Sequence, residues 1–107
     1  MTDLMLRRDD RPDGGLTVHV GGEIDGATAP ALQRALLDAV ATAPRHLLID
    51  GAEVSFCDSR GLAALIAAWR AAGAAGVPLT LHPSPRLRRV MSLAGIDTLI
   101  DLAESPR

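Results

Sequence analysis

Five consecutive residues, Cys57-Asp58-Ser59-Arg60-Gly61, place a thiol, a carboxylate, a hydroxyl and a guanidinium directly ahead of an apolar run that begins at Leu62. The pattern predicts a strand-to-helix turn, with Asp58 and Ser59 at the helix start. Unpaired backbone N–H groups and the positive end of the helix dipole favour an anion there. A serine hydroxyl at that place is suited to carry a phosphate. The same two residues also suit plain N-capping, worth about 1 kcal/mol, and the residues alone leave both readings open. A nucleophilic hydrolase serine needs G-x-S-x-G for its sharp elbow. Here Cys57 stands in place of the first glycine, and His82 is the only histidine after Ser59. Cys57 is either a thiol activated by the helix dipole or, as its position at a strand end suggests, a small buried hydrophobe.

Other chemistry-bearing residues are sparse. Asp25 closes Gly22-Glu23-Ile24-Asp25 and, in the expected sheet, falls at the same end as Asp58 and Ser59. His19, His46 and His82 have no metal-ligand spacing with one another or with Cys57, so no metal site is expected. Gly21-Gly22-Glu23 is no phosphate-gripping Walker loop, since the chain contains no lysine to complete one. Arg86, Arg88 and Arg89 read as a solvated helix face that could also meet a partner. No catalytic residue and no cofactor is expected.

These residues need elements to hold them. Leu4 to Arg8 and Leu16 to Val20 predict an antiparallel hairpin across the turn-rich Asp9–Gly15 stretch. Gly21 to Gly26 reads as a loop. Thr28 is the expected N-cap of a first helix carrying Leu32, Leu36 and Val40, stopped by Pro44. His46 to Asp50 reads as a strand buried on both faces, as in a parallel sheet, with Val54 to Phe56 extending or following it. Leu62, Leu65, Ile66 and Trp69 share one face of the second helix, expected to run to about Ala72 with Gly73 and Gly76 at its end. Val77 to His82 is a further strand. Pro83-Ser84-Pro85 opens a third helix, with Leu87, Val90, Met91 and Ala94 inward and Gly95 beyond its end. Ile96 to Leu102 suggests a last short strand, and the tail from Ala103 is too short for another full helix. The order predicts one α/β domain over residues 1–107, with a mixed, mainly parallel sheet of four to five strands and about three to four helices.

Composition excludes several functions. The chain has 107 residues, 48% hydrophobic and 22% charged, and a formal charge of -2, enough for one core that buries roughly 65% of the unfolded surface. Phe56 and Trp69 are the only aromatics and all 11 basic residues are arginine. That leaves neither a stacking platform nor a basic footprint for nucleic acid. One cysteine cannot form an internal disulfide. The run Leu62 to Trp69 is too short to span a bilayer, and Met1 to Asp10 lacks a signal-peptide core. The expectation is a cytoplasmic protein without direct membrane insertion.

Gly22-Glu23-Ile24-Asp25, then Val54-Ser55-Phe56-Cys57-Asp58-Ser59-Arg60-Gly61-Leu62, then Leu81-His82-Pro83-Ser84-Pro85 and Leu93-Ala94-Gly95-Ile96 resemble, in order and spacing, a STAS domain. More narrowly, they resemble the bacterial anti-sigma factor antagonists. The resemblance covers nearly the whole chain and departs from the family at the C-terminus, where members usually carry a further helix. It implies a STAS-like fold and a non-enzymatic, phosphorylation-controlled binding protein. The unphosphorylated form would bind an anti-sigma factor that is also a serine kinase, and so release the sigma factor. Ser59 matches the phosphorylated position, which a serine phosphatase would restore. Asp25 matches the family's first-loop aspartate, and Asp58, Arg60, Gly61 and Leu62 surround the phosphosite. An alternative on the same fold is an unswitched STAS subunit of a lipid-transport ABC complex.

Overall fold

In Leu16–Ile24 apolar side chains fall at every second residue, and in Leu47–Ile49 at every residue, the two patterns of a strand with one or both faces covered. A computed structural model describes residues 3–103 of the chain. Its elements run β1 (Leu4–Asp10), β2 (Leu16–Ile24), α1 (Ala29–Ala41), β3 (Leu47–Cys57), α2 (Ser59–Ala75), β4 (Leu79–Pro83) and α3 (Pro85–Leu93). The sheet has the order β1-β2-β3-β4. β1 and β2 form the expected antiparallel hairpin, and β2, β3 and β4 are parallel.

Register assigns the two faces. Leu16 aligns with Leu47 and Leu79, and Val18 with Ile49 and Leu81. This row packs into one core with Leu32 and Leu36 of α1, Leu65 and Ala68 of α2, and Leu87 and Met91 of α3. Apart from buried Leu48, which aligns with Thr17 and Thr80, the alternate row is polar. His19 Nδ1 lies 2.9 Å from Asp50 Oδ2, His46 Nε2 lies 2.8 Å from Thr80 Oγ1, and His82 Nδ1 lies 3.0 Å from the Ala103 carbonyl. The three histidines thus tie strands and the chain end together on the face away from the helices. Among the described residues no group of His, Cys, Asp and Glu could hold a metal ion, and no helix is long and apolar enough to cross a membrane.

Four local expectations are corrected. Gly21 to Ile24 is strand, not loop. Gly22, at φ +88°, leaves room for the Asp3 carbonyl, which accepts from the Glu23 N–H at 3.0 Å, while Ile24 aligns with Cys57. α2 runs through Gly73 to Ala75 and ends at Gly76, whose φ of 70° is the left-handed turn a helix stop uses. Thr28 holds the N-cap place of α1 without capping it by its side chain. Its hydroxyl instead donates to the Glu23 carbonyl at 2.8 Å, and the Asp25 carboxylate takes the Ala27 and Thr28 N–H groups. The expected last strand reduces to one bridge between Leu81 and Leu102, although the Leu81 N–H and carbonyl both bond to that segment. Gly95, at φ 75°, does stand just beyond the end of α3. The tail beyond Ala103 lies outside the described residues.

Candidate functional site

The carboxyl ends of β2 and β3 lie side by side, and each strand releases its chain into a loop that starts a helix. The Asp58 N–H donates to the Ile24 carbonyl at 3.1 Å, which clamps the two exits together and brings Asp25 beside the Asp58-Ser59 turn. Open α/β sheets bind ligands and partners at this end.

Each carboxylate is committed to a backbone. Asp25 Oδ1 accepts from Ala27 at 2.9 Å and Thr28 at 3.1 Å, and the Asp25 N–H donates to Thr28 Oγ1 at 2.9 Å. Asp58 is extended at ψ -171°, the backbone shape of an N-cap, and its Oδ1 accepts from Arg60 N–H at 2.9 Å and Gly61 N–H at 3.2 Å. The capping reading therefore belongs to Asp58. Ser59 is the first residue of α2; it is exposed, and no hydrogen bond engages its hydroxyl among the described residues. The turn presents that hydroxyl to solvent one residue after the fixed Asp58 carboxylate, at the strand end where the Asp25 loop also begins.

Packing beneath the turn explains its composition. A Cβ on Gly61 would stand 2.6 Å from Cys57 Sγ and 2.7 Å from Ile24 Cγ2, so only glycine lets α2 start this close to the strand ends. Leu62 is 7% exposed and joins the core. Gly61 and Leu62 therefore support the turn from below, both largely buried. Cys57 is buried as well. Burial, with a smaller push from the Asp58 charge, raises its pKa to about 12, so the thiol stays neutral. Both the burial and the direction of the shift favour the buried-hydrophobe reading of Cys57 over the activated thiol.

Arg60 lies over Gly26, where any side chain would collide with its guanidinium. It lines a groove of about 560 Å³ between α1 and α2, together with Gly26, Arg34, Asp38 and Ala63. Two neighbours of the turn were not among the expected site residues, Gly26 and Phe56. Phe56 is 43% exposed two residues before Asp58, although it is one of only two aromatics in the chain. In the sequence its only signal is rarity, since its exposure shows only in the folded chain.

Comparison with known proteins agrees with this geometry. Residues 8–101 match the family model described as Mlab, STAS domain. An anti-sigma-B factor antagonist of Listeria monocytogenes is 32% identical over 94 residues, covering 87% of this chain and 82% of that protein. The crystal structure of an anti-sigma factor antagonist from Mycobacterium paratuberculosis superposes with a TM-score of 0.87 at 35% identity, over 96% of this chain and 87% of that one. The anti-sigma factor antagonist SpoIIAA in its unphosphorylated form shares the fold, with a TM-score of 0.75 at 19% identity over 94% of this chain and 90% of that one. By sequence match and by architecture, the chain belongs to the STAS-domain family.

Proposed function

We propose that this protein is an anti-sigma factor antagonist whose binding is switched by phosphorylation of Ser59. The observation that carries the proposal is the exposed, unbonded Ser59 hydroxyl at the start of α2, flanked by Asp58 and the Asp25 loop. The similarity to curated anti-sigma-B factor antagonists supports the class of partner, an anti-sigma factor.

The chain supplies only the acceptor. In the transfer step Ser59 Oγ forms a bond to the γ-phosphorus of a nucleotide held by the partner kinase. The bond from that phosphorus to the bridging oxygen breaks, the nucleoside diphosphate leaves, and the serine proton passes to a base on the kinase. Metal, nucleotide and positioning groups all belong to that partner. The product gains about -1.5 to -2 charges and three acceptor oxygens. At the helix start this charge meets the positive end of the dipole, so the fold survives it. On the docking surface it adds to Asp25 and Asp58. A partner shaped for a neutral hydroxyl then meets repulsion, and a coupling of about 1–3 kcal/mol suffices to release it. A serine phosphatase resets the switch.

Incubation with the cognate anti-sigma kinase and ATP, followed by intact-mass measurement, tests the assignment. Wild type gains one phosphate and Ser59→Ala gains none. Equal incorporation in both proteins refutes the site. Stable co-purification with a transporter ATPase, with no phosphate acquired, would instead identify the unswitched subunit of a lipid-transport complex.

A further inference from the structure

The third helix carries a feature that the Ser59 site does not use. α3 reads Pro-Arg-Leu-Arg-Arg-Val-Met-Ser-Leu and holds three arginines and no acidic residue, in a chain whose formal charge is -2. Leu87 and Met91 face the core, and Val90 packs against it. At helical spacing, Arg86, Arg89 and Leu93 then fall together on the opposite side, at i, i+3 and i+7. Arg86, Arg88 and Arg89 are all exposed, and among the described residues none has a carboxylate within ion-pair distance. Leu93, at 79% exposure, is the most exposed large hydrophobic residue described.

Helix stability does not account for this arrangement. Cations belong at a helix C-terminus, and the first turn of α3 has Arg86 and no acidic residue to offset it. Ser84 already caps the helix by accepting the Leu87 N–H at 3.0 Å, so the arginines are not needed as end groups. Three positive charges without an ion-pair partner among the described residues, beside the positive end of the dipole, form a local field opposite in sign to the chain as a whole.

We propose that the Arg86–Arg89–Leu93 stripe of α3 is a docking surface for an acidic, amphipathic segment of a partner protein, in which carboxylates meet the two guanidiniums and one apolar side chain covers Leu93. Charge complementarity selects the acidic partner, and guanidiniums pair with carboxylates through two parallel hydrogen bonds. A single exposed leucine with three arginines falls short of the two anchoring signals that stable membrane attachment takes. The surface does not involve the Ser59 hydroxyl, so its test stands whatever the phosphorylation assay returns.

The probe is a labelled synthetic peptide of about 18 residues, long enough for a marginal helix in water, with Glu at i and i+3 and Leu one turn on. Its binding to the whole chain is followed by fluorescence anisotropy. Saturable binding is expected that weakens at least about tenfold in Arg86→Gln/Arg89→Gln and several-fold in Leu93→Ala, and that declines with salt. Arg45→Gln/Arg70→Gln removes the same charge at exposed sites elsewhere and should bind as wild type does. Any of four results overturns the proposal: no binding; equal binding of a peptide with Gln for Glu; equal loss in the Arg45/Arg70 control; or equally tight binding of phosphatidylserine-containing vesicles or a thymidine oligonucleotide that is lost in the same variants.

Discussion

Ser59 and Ser84 each follow the carboxyl end of a parallel strand and stand at the start of a helix, yet their hydroxyls meet opposite fates. Ser84 is 4% exposed; its Oγ donates to the Val54 carbonyl at 2.6 Å and accepts from the Leu87 N–H at 3.0 Å. It caps α3 and ties that helix to β3. Ser59 sits one residue later in its turn, after Asp58 has taken the capping role. Its hydroxyl is relieved of structural duty and faces solvent. The comparison shows how a strand-to-helix turn frees a serine hydroxyl: a second polar residue does the capping, and the serine is moved one step outward.

The largest expected effect falls on the buried member of the pair. Ser84→Ala removes the cap of α3 and the bond to Val54, and leaves the buried Leu87 N–H without that acceptor. The expected loss is about 2–3 kcal/mol, a fall in Tm of roughly 10 °C or more. Urea and thermal unfolding measure it. A loss near zero would dissolve the distinction between the two serines.

The next effect tests the buried base of the Ser59 turn. The folded pKa of Cys57 is raised from 9.0 to about 12, chiefly by burial. Below pH 9 the thiol is neutral in both states, and the stability that goes with its burial is fully present. As pH rises above 9 the unfolded chain loses the proton first, so stability falls by up to about 1.4 kcal/mol per pH unit until the folded thiol also ionises. The chain has no tyrosine and no lysine, so almost nothing else titrates in this window. Urea unfolding between pH 8 and 11 should show the decline in wild type and a flat profile in Cys57→Ser. A wild-type profile as flat as that of the variant would mean that the sulfur is hydrated and the turn loosely packed.

Much of this was legible in the sequence, and what was not has local causes. The hairpin, the doubly buried strand and the helical stripes follow from periodicity, because each buries a regular set of side chains; Ala94, expected in the third stripe, lies past the end of α3 and is exposed. The placement of Asp25 near Ser59 follows from strand order alone. Gly21-Gly22-Glu23 misleads because glycine argues for a turn, whereas here Gly22 makes way for the Asp3 carbonyl within a paired strand. Thr28 misleads because it is a good capping residue, and only the folded loop shows that Asp25 reaches the same N–H groups. Gly61 is expressive in retrospect: its need to be glycine lies in Cys57 and Ile24, neighbours that no local window contains together. Leu62 shows the limit of motif reading, since a residue can belong to a site's signature and be packed into the core.

The smallest expected effect sharpens the comparison most. Ser59→Ala should change stability by no more than about 0.5 kcal/mol, the range of an exposed substitution away from any cap. The Asp58 carboxylate keeps its two N–H donors in the variant, Gly61 keeps its seat against Cys57, and alanine is the better helix former at an exposed position. Unfolding curves of wild type and Ser59→Ala should therefore nearly superimpose, while Ser84→Ala shifts far to lower denaturant. A cost of 1 kcal/mol or more at Ser59, flagged against the roughly 1 kcal/mol of an ordinary cap, would show its hydroxyl holding the turn as Ser84 holds α3. A phosphate there would then break the fold as well as the docking surface. A null result leaves the hydroxyl with no structural use, which is what the proposed switch requires: a phosphate there would change the surface without changing the structure that presents it.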